Sequence, residues 1–415
     1  MFLTVGDKIR HARQRYGLKQ IAFESYGFSR NYISMIETKK RSLNENMLKT
    51  MYEAICELSN NEYQQEYSYD EFKKSPVDQA NQWLEQNCNL EGALNQYELF
   101  NEIAKKYHQI DFLIQLEKIL GDYYFKRGQL LLANEHLWTA IGYCLQLSEN
   151  PASLYERVGR NYIMLGQYQE SIAALQLSLN CLSHKKGEEI HRIQYCLALA
   201  YMNDRKYEKS LEWIYPVLEQ NKFLKTKAAG YLIKEAIFKK QGYAEKGRAV
   251  LLEFIKNPCY EPYLSFAYHN LACSYKDSGL YSQALDTLNS ALIHRKSDKG
   301  QAVTQCLLGE IYFKMGEYQK ANELFLEVKD IILKQCTVEQ KEATLEWGFE
   351  LYWRNEEFQS ILMLLDDIQQ LVHQDILPHV VYINFQNRLY KTIMDEVLLQ
   401  KKDLNEYRLL LNAIS

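Results

Sequence analysis

Ser29, Arg30 and Asn31 stand in a row and Ser34 follows one helical turn later, so a guanidinium, a carboxamide and two hydroxyls fall within six positions. Their shared chemistry is the directed hydrogen bond rather than nucleophilic attack, because no catalytic motif accompanies them. Lys39, Lys40 and Arg41 add three cations just downstream. Residues 1–58 hold ten Lys or Arg against six Asp or Glu, whereas the remaining 357 residues hold 39 basic against 47 acidic. A basic segment on an acidic body points to a polyanionic partner for that segment alone. The chain has no P-loop, no H-E-x-x-H, no G-x-S-x-G and no paired-Cys metal spacing, and its nine histidines are dispersed. These absences point to a binding protein rather than an enzyme, with no cofactor and no metal.

The elements that must hold those side chains are short helices. Thr4 and Asp7 make a capping-box start, and Val5, Ile9, Ala12 and Tyr16 then share one face of a first helix that Gly17 ends. A second helix opens at Lys19 or Gln20 and runs to Tyr26; Gly27 makes a tight turn, and Ser29 caps a third helix from Arg30 to Glu37. Ile33 and Ile36 point inward, and a fourth helix from about Glu45 to Leu58 turns Leu48, Met51 and Ile55 to the same core. This order of residues resembles the Xre/Cro-type helix-turn-helix domains over residues 5–58. The resemblance implies double-stranded operator DNA as partner. Ser29, Arg30, Asn31 and Ser34 would then face major-groove edges, while Gln20, Tyr32, Lys39, Lys40 and Arg41 would hold phosphates. The interval from Gln20 to Ser29 is one residue shorter than in that family, and Phe23 replaces a common Ala.

Beyond the head, a small residue followed three positions later by Tyr, or by Leu351 in the last copy, recurs every 37 to 39 residues. The markers are Gly121, Gly159, Ala198, Ala272, Gly309 and Gly348, with a weaker copy around Glu235 and Phe238. A second signature follows: Gly128 then Ala133, Gly166 then Ser171, Gly279 then Ala284, Gly316 then Ala321. The small marker lets two antiparallel helices approach closely, and Gly accepts a positive φ at the turn. These residues resemble the tetratricopeptide (TPR) pattern, slightly lengthened. No single hairpin can bury its apolar face, so neighbours must stack. The expected fold is all-α: a helix-turn-helix domain over 1–58, a linker over 59–76 with one short helix, a TPR-like right-handed α-solenoid over 77–375, and capping helices over 376–415. Helices around Ala80–Asn87 and Glu91–Lys106 form a degenerate first repeat, with Ala93, Tyr97 and Phe100 at second-helix positions.

A solenoid offers a concave surface suited to a peptide or extended protein segment. Residues one and four after each marker should line it. With their neighbours they give the candidate peptide contacts Asp122, Arg160, Tyr195, Asn203, Lys239, His269, Lys276 and Glu310. Nine scattered cysteines without a C-x-x-C pair suit buried thiols in a reducing cytoplasm, and neither a signal peptide nor a membrane-length apolar run occurs. A helix-turn-helix head joined to TPR-like repeats resembles the peptide-pheromone receptors of Gram-positive bacteria, the group of Rap, Rgg, NprR, PlcR and PrgX. That resemblance implies a cytoplasmic quorum-sensing regulator that dimerises through its C-terminal repeats and changes DNA binding when a short signalling peptide fills the groove. Two alternatives stand beside it: a DNA-tethered TPR adaptor for another protein, and a Rap-like phosphatase or sequestering protein acting on response regulators, with Gln96 or Glu102 as its working residue.

Overall fold

The computed structural model describes residues 2–182, 187–374, 376–400 and 402–414; His184 and the boundary drawn at residue 375 lie outside them. All regular structure among the described residues is helical. The chain forms two compact units, Met1–Asp204 and Arg205–Ser415.

Unit one begins with the head: α1 (Val5–Arg15), a 3-10 helix (Gln20–Tyr26), α2 (Arg30–Glu37) and α3 (Glu45–Leu58). Thr4 Oγ1 accepts from the Asp7 amide at 3.2 Å and Asp7 Oδ2 accepts from the Thr4 amide at 3.0 Å, the reciprocal capping box expected from sequence. The second element is a 3-10 helix rather than an α-helix; it is short, buries only Phe23, and Gly27 ends it at φ 87°. Ser29 Oγ caps α2 by accepting from the Tyr32 amide at 3.3 Å. Ile9, Phe23, Phe28, Ile33, Met51 and Ile55 form the core.

The stretch 59–76, expected as a linker, instead completes this core. It folds into α4 (Glu62–Glu66) and α5 (Tyr69–Lys73), and Tyr63 and Phe72 are buried with Met51 and Ile55. A head of 58 residues buries little apolar surface, and these two rings close its open side. Next come α6 (Pro76–Asn87), α7 (Leu90–Asn95) and α8 (Tyr97–Lys106). The expected second helix of the degenerate repeat is thus broken at Gln96, whose φ of −128° is not helical, although Ala93 and Phe100 are buried as anticipated.

Hairpins of the repeat array follow. Unit one holds α9 (Ile110–Lys126) with α10 (Leu130–Gln146), α11 (Ala152–Met164) with α12 (Tyr168–Cys181), and then α13 (Glu188–Asn203). Unit two opens with α14 (Tyr207–Glu219) and continues with α15 (Leu224–Lys240), α16 (Ala244–Ile255), α17 (Leu264–Asp277), α18 (Tyr281–His294), α19 (Asp298–Lys314), α20 (Tyr318–Gln335), α21 (Val338–Arg354) and α22 (Phe358–His373). The final segment, expected to cap the array, contains α23 (His379–Gln400), a 3-10 turn and α24 (Arg408–Ile414). Leu389, Ile393, Tyr407 and Leu410 join the same buried cluster as Phe325 and Trp347.

The close approach assigned to the small markers is visible at the atoms. A Cβ built on Gly159 would stand 2.6 Å from Leu175 Cγ, and one on Gly348 2.6 Å from Phe325 Cε2. In the weaker copy the bulk is exchanged across the pair: Glu235 occupies the marker, and Gly247 stands on the second helix where other hairpins carry Ala or Ser.

Candidate functional site

On the head, Arg30, Asn31 and Ser34 are exposed on the outer side of α2, opposite buried Ile33 and Ile36. Among the described residues none of their side chains has a hydrogen-bond or ion-pair partner. The amides of the first turn and the helix dipole add partial positive charge at the end they decorate. Lys40 and Arg41 are exposed beyond the far end of α2, and the Arg41 guanidinium lies 5.3 Å from the Tyr32 ring centroid. Lys39 adopts φ 63° and places Nζ 3.0 Å from Asp7 Oδ2.

Two of the anticipated phosphate contacts are engaged elsewhere. Gln20 Nε2 donates to Glu37 Oε2 at 3.0 Å, beside Arg13, whose Nε donates to Glu37 Oε1 at 2.8 Å. Glu37 is buried, so this clamp satisfies a carboxylate that would otherwise lack partners and fixes the 3-10 helix to α2. Tyr32 is half-buried: it stacks on Phe28 at 6.2 Å, and its hydroxyl lies 3.6 Å from Met47 Sδ. Neither role was legible in sequence, because Glu37 reads there as the polar end of a helix.

In the array, charged groups pair between neighbouring repeats at separations close to the repeat length. Within unit one, Arg157 pairs with Asp122, and Arg192 grips Glu156 with bonds of 2.5 and 2.6 Å. Of the other anticipated contacts there, Arg160 is exposed, whereas Tyr195 and Asn203 are half-buried. Burial raises the Tyr195 phenol pKa.

Within unit two, Lys239 pairs with Asp277 at 2.7 Å and Lys276 with Glu310 at 2.6 Å. Asp122, Lys239, Lys276 and Glu310, four of the eight anticipated peptide contacts, are therefore also rungs of the scaffold. Their partners Arg157 and Asp277 lie one repeat away, where spacing from the marker gives no hint of them. The rule for groove positions also fails at Met202, Phe349 and Tyr352, which are buried.

What the structure does bring together is His269, Lys276 and Glu310, around a cleft of about 220 Å³ with Cys273, Val303 and Thr344. Thr304 Oγ1 lies 3.5 Å from His269 Nδ1. Burial, with the Arg295 and Lys276 cations nearby, pushes the His269 imidazole down to about 4. A second cleft of about 290 Å³ shares Glu310 and Ala343 with the first and adds Phe313, Glu346, Glu350 and Arg388. The groove therefore runs across α17, α19, α21 and α23 with an apolar floor and alternating charge. Burial also pushes the Cys273 thiol up to about 11, which leaves it a poor nucleophile. Five cysteines are buried as expected, whereas Cys259 is exposed.

Gln96 and Glu102, the residues named for phosphatase action, are both exposed. Among the described residues no helix is long and apolar enough to cross a membrane.

No protein-family model and no curated protein matches the chain. Among solved structures it is similar to a Rap protein complexed with competence and sporulation factor, at 14% identity over 89% of this chain and 98% of that one, with a TM-score of 0.45. It is also similar to a tetratricopeptide repeat protein from Parabacteroides merdae, at 17% identity over 64% and 99% of the two chains and a TM-score of 0.44. PilF from Pseudomonas aeruginosa gives 16% identity, 57% and 97% coverage and a TM-score of 0.40. The TPR-like fold rests on the chain's own hairpins, not on these likenesses.

Proposed function

We propose that this chain is a regulator that reads duplex DNA through α2 and responds to a short peptide held in its repeat array. The observation that carries the reading is the uncommitted state of Arg30, Asn31 and Ser34: exposed, without side-chain partners among the described residues, and presented by a capped helix whose opposite face is locked into the head. Groups of this type read base edges, with Arg suited to guanine and Asn to adenine, while Lys40 and Arg41 supply sequence-independent attraction to phosphates. The groove of unit two, apolar at its floor and lined by Lys276, Glu310 and Arg388, suits an extended peptide with few charges. Leu398, Leu399 and Leu409 are each exposed near the end of unit two, and apolar side chains of this kind would suit the pairing of two copies there. The test is enrichment of duplexes from a random pool by the full chain, followed by anisotropy titrations across a salt series, with and without synthetic peptides encoded beside its gene. Failure to enrich any sequence over competitor would refute the DNA-reading half. Operator affinity unmoved by every peptide would refute the peptide half.

A second reading, the DNA-tethered adaptor, is favoured by one observation. The pairing of Asp122, Lys239, Lys276 and Glu310 within the scaffold leaves few free charges to fix a short peptide, and a larger protein surface depends less on them. It is distinguished by DNA binding that a folded partner changes and peptides do not.

A further inference from the structure

The start of α1, with the residues just before it, touches the reading helix on one side and, on the other, the end of α5, where the head closes, and α6 behind it. On one side, Leu3 exchanges two hydrogen bonds with the Gln79 carboxamide of α6: its amide donates to Oε1 at 3.2 Å and its carbonyl accepts from Nε2 at 2.8 Å. Lys8 Nζ donates to three carbonyls at the end of α5, those of Glu71 at 2.7 Å, Phe72 at 3.0 Å and Lys74 at 2.8 Å, which uses every proton of the ammonium. Phe2 packs on Trp83 of α6 and on Tyr107, with ring centroids 6.3 and 5.5 Å apart, and Trp83 in turn packs on buried Phe100 of α8. On the other side, a Cβ on Gly6 would lie 3.0 Å from the Ile36 carbonyl carbon and closer still to its oxygen, so this turn rests directly on the end of α2. Asp7 holds Lys39, just beyond α2, at 3.0 Å.

We propose that the Leu3–Lys8 turn is the coupling element that makes the orientation of α2 follow α6, with Lys8 and Gln79 as positioning residues. A helix held at its start by α5 and α6 and in backbone contact with α2 transmits displacement in either direction, because packed elements shift as bodies rather than deform. The consequence for regulation rests on the proposed reading of α2, but the coupling itself is tested without DNA.

The test is hydrogen exchange on the full chain, for wild type, Lys8→Met, Lys8→Arg and Gln79→Ala, each with and without Phe100→Leu as a perturbation behind the head. In wild type and Lys8→Arg, Phe100→Leu should speed exchange of α1 and α2 amides at least about threefold. In Lys8→Met and Gln79→Ala that propagated increase should vanish, even where the head itself exchanges faster. A residue that merely stabilised the head would raise its exchange without altering the response to Phe100→Leu. Propagation that is absent in wild type, or unchanged in both Lys8→Met and Gln79→Ala, overturns the coupling. If Lys8→Met fails to fold by circular dichroism, Gln79→Ala decides alone. Loss of DNA binding in an uncoupled but intact variant, or its retention, bears on the proposed function separately.

Discussion

Replacing Gly348 by Ala is a one-carbon change whose cost can be worked from the atoms it meets. The added Cβ would stand 2.6 Å from Phe325 Cε2 and closer to Cζ, whereas ordinary contact begins near 3.4 Å, so the ring must retreat by at least roughly 0.8 Å. Phe325 has nowhere to go. It is fully buried and held edge-on by Trp347 at 5.3 Å and Tyr352 at 5.6 Å. Overpacking of this kind costs about 1–3 kcal/mol, the upper end applying where neighbours are fixed. Ala returns about 1 kcal/mol of helix propensity, so the net loss is about 1–2 kcal/mol. Gly142, mid-helix in α10 with nothing within 4 Å of its would-be Cβ, is the internal control and should gain about 1 kcal/mol on the same substitution. Hydrogen exchange reads both locally. Amides of α20 and α21 should exchange about 5–30-fold faster in Gly348→Ala, and those of α10 more slowly in Gly142→Ala. Exchange in α20 and α21 no faster than wild type would refute the account of why the marker is small.

Other outcomes follow from the head and the groove. Arg30→Ala or Asn31→Ala should cost about 1–3 kcal/mol in affinity for the preferred duplex and relax its sequence preference, whereas Lys40→Ala should weaken all duplexes alike and reduce the salt slope by about one, both read by anisotropy. Gln20→Ala should leave that slope unchanged and instead destabilise the head by about 1–3 kcal/mol, because it removes a donor from buried Glu37. His269 has a folded pKa of about 4 against 6.5 unfolded, so the unfolded chain binds the extra proton between those values. Its stabilising effect is complete above pH 6.5 and is lost as pH falls toward 4. Thermal melts of unit two should therefore fall less steeply from pH 7 to 5 in His269→Gln than in wild type.

Elements set by local chemistry were legible in sequence. The Thr4–Asp7 box, the Ser29 cap, the Gly17 and Gly27 turns and the repeat markers each act within a few residues of chain, and each appears where its residues place it. The turn after each first helix shows where that legibility ends. Gly128, Gly166, Gly279 and Gly316 were read correctly, but the same left-handed conformation is adopted by Arg205 at φ 60° and Glu356 at φ 57°, where side-chain type gives no sign of it and the hairpin imposes it. The array groove was the least legible part. Lys239, Lys276 and Asp122 are chosen by spacing from their own markers, yet what occupies them lies a whole repeat away. Tyr63 and Phe72 escaped notice for a related reason: a polar, Tyr-rich surround hides two rings whose burial depends on a distant core.

The exchange of bulk at Glu235 and Gly247 sets this hairpin's spacing by a different contact from that of its siblings. Burial raises the pKa of the Glu235 carboxyl, and a Cβ at position 247 would press within 3.3 Å of the Glu235 carbonyl oxygen. That oxygen belongs to the main chain, so the crowding at 247 is the same whichever side chain stands at 235, and the Cγ of Glu235 would be in ordinary contact at 3.6 Å. A methyl at 247 is admitted only if the facing backbone yields by a few tenths of an ångström, so this hairpin's spacing is held by main chain on one side and by an absent side chain on the other.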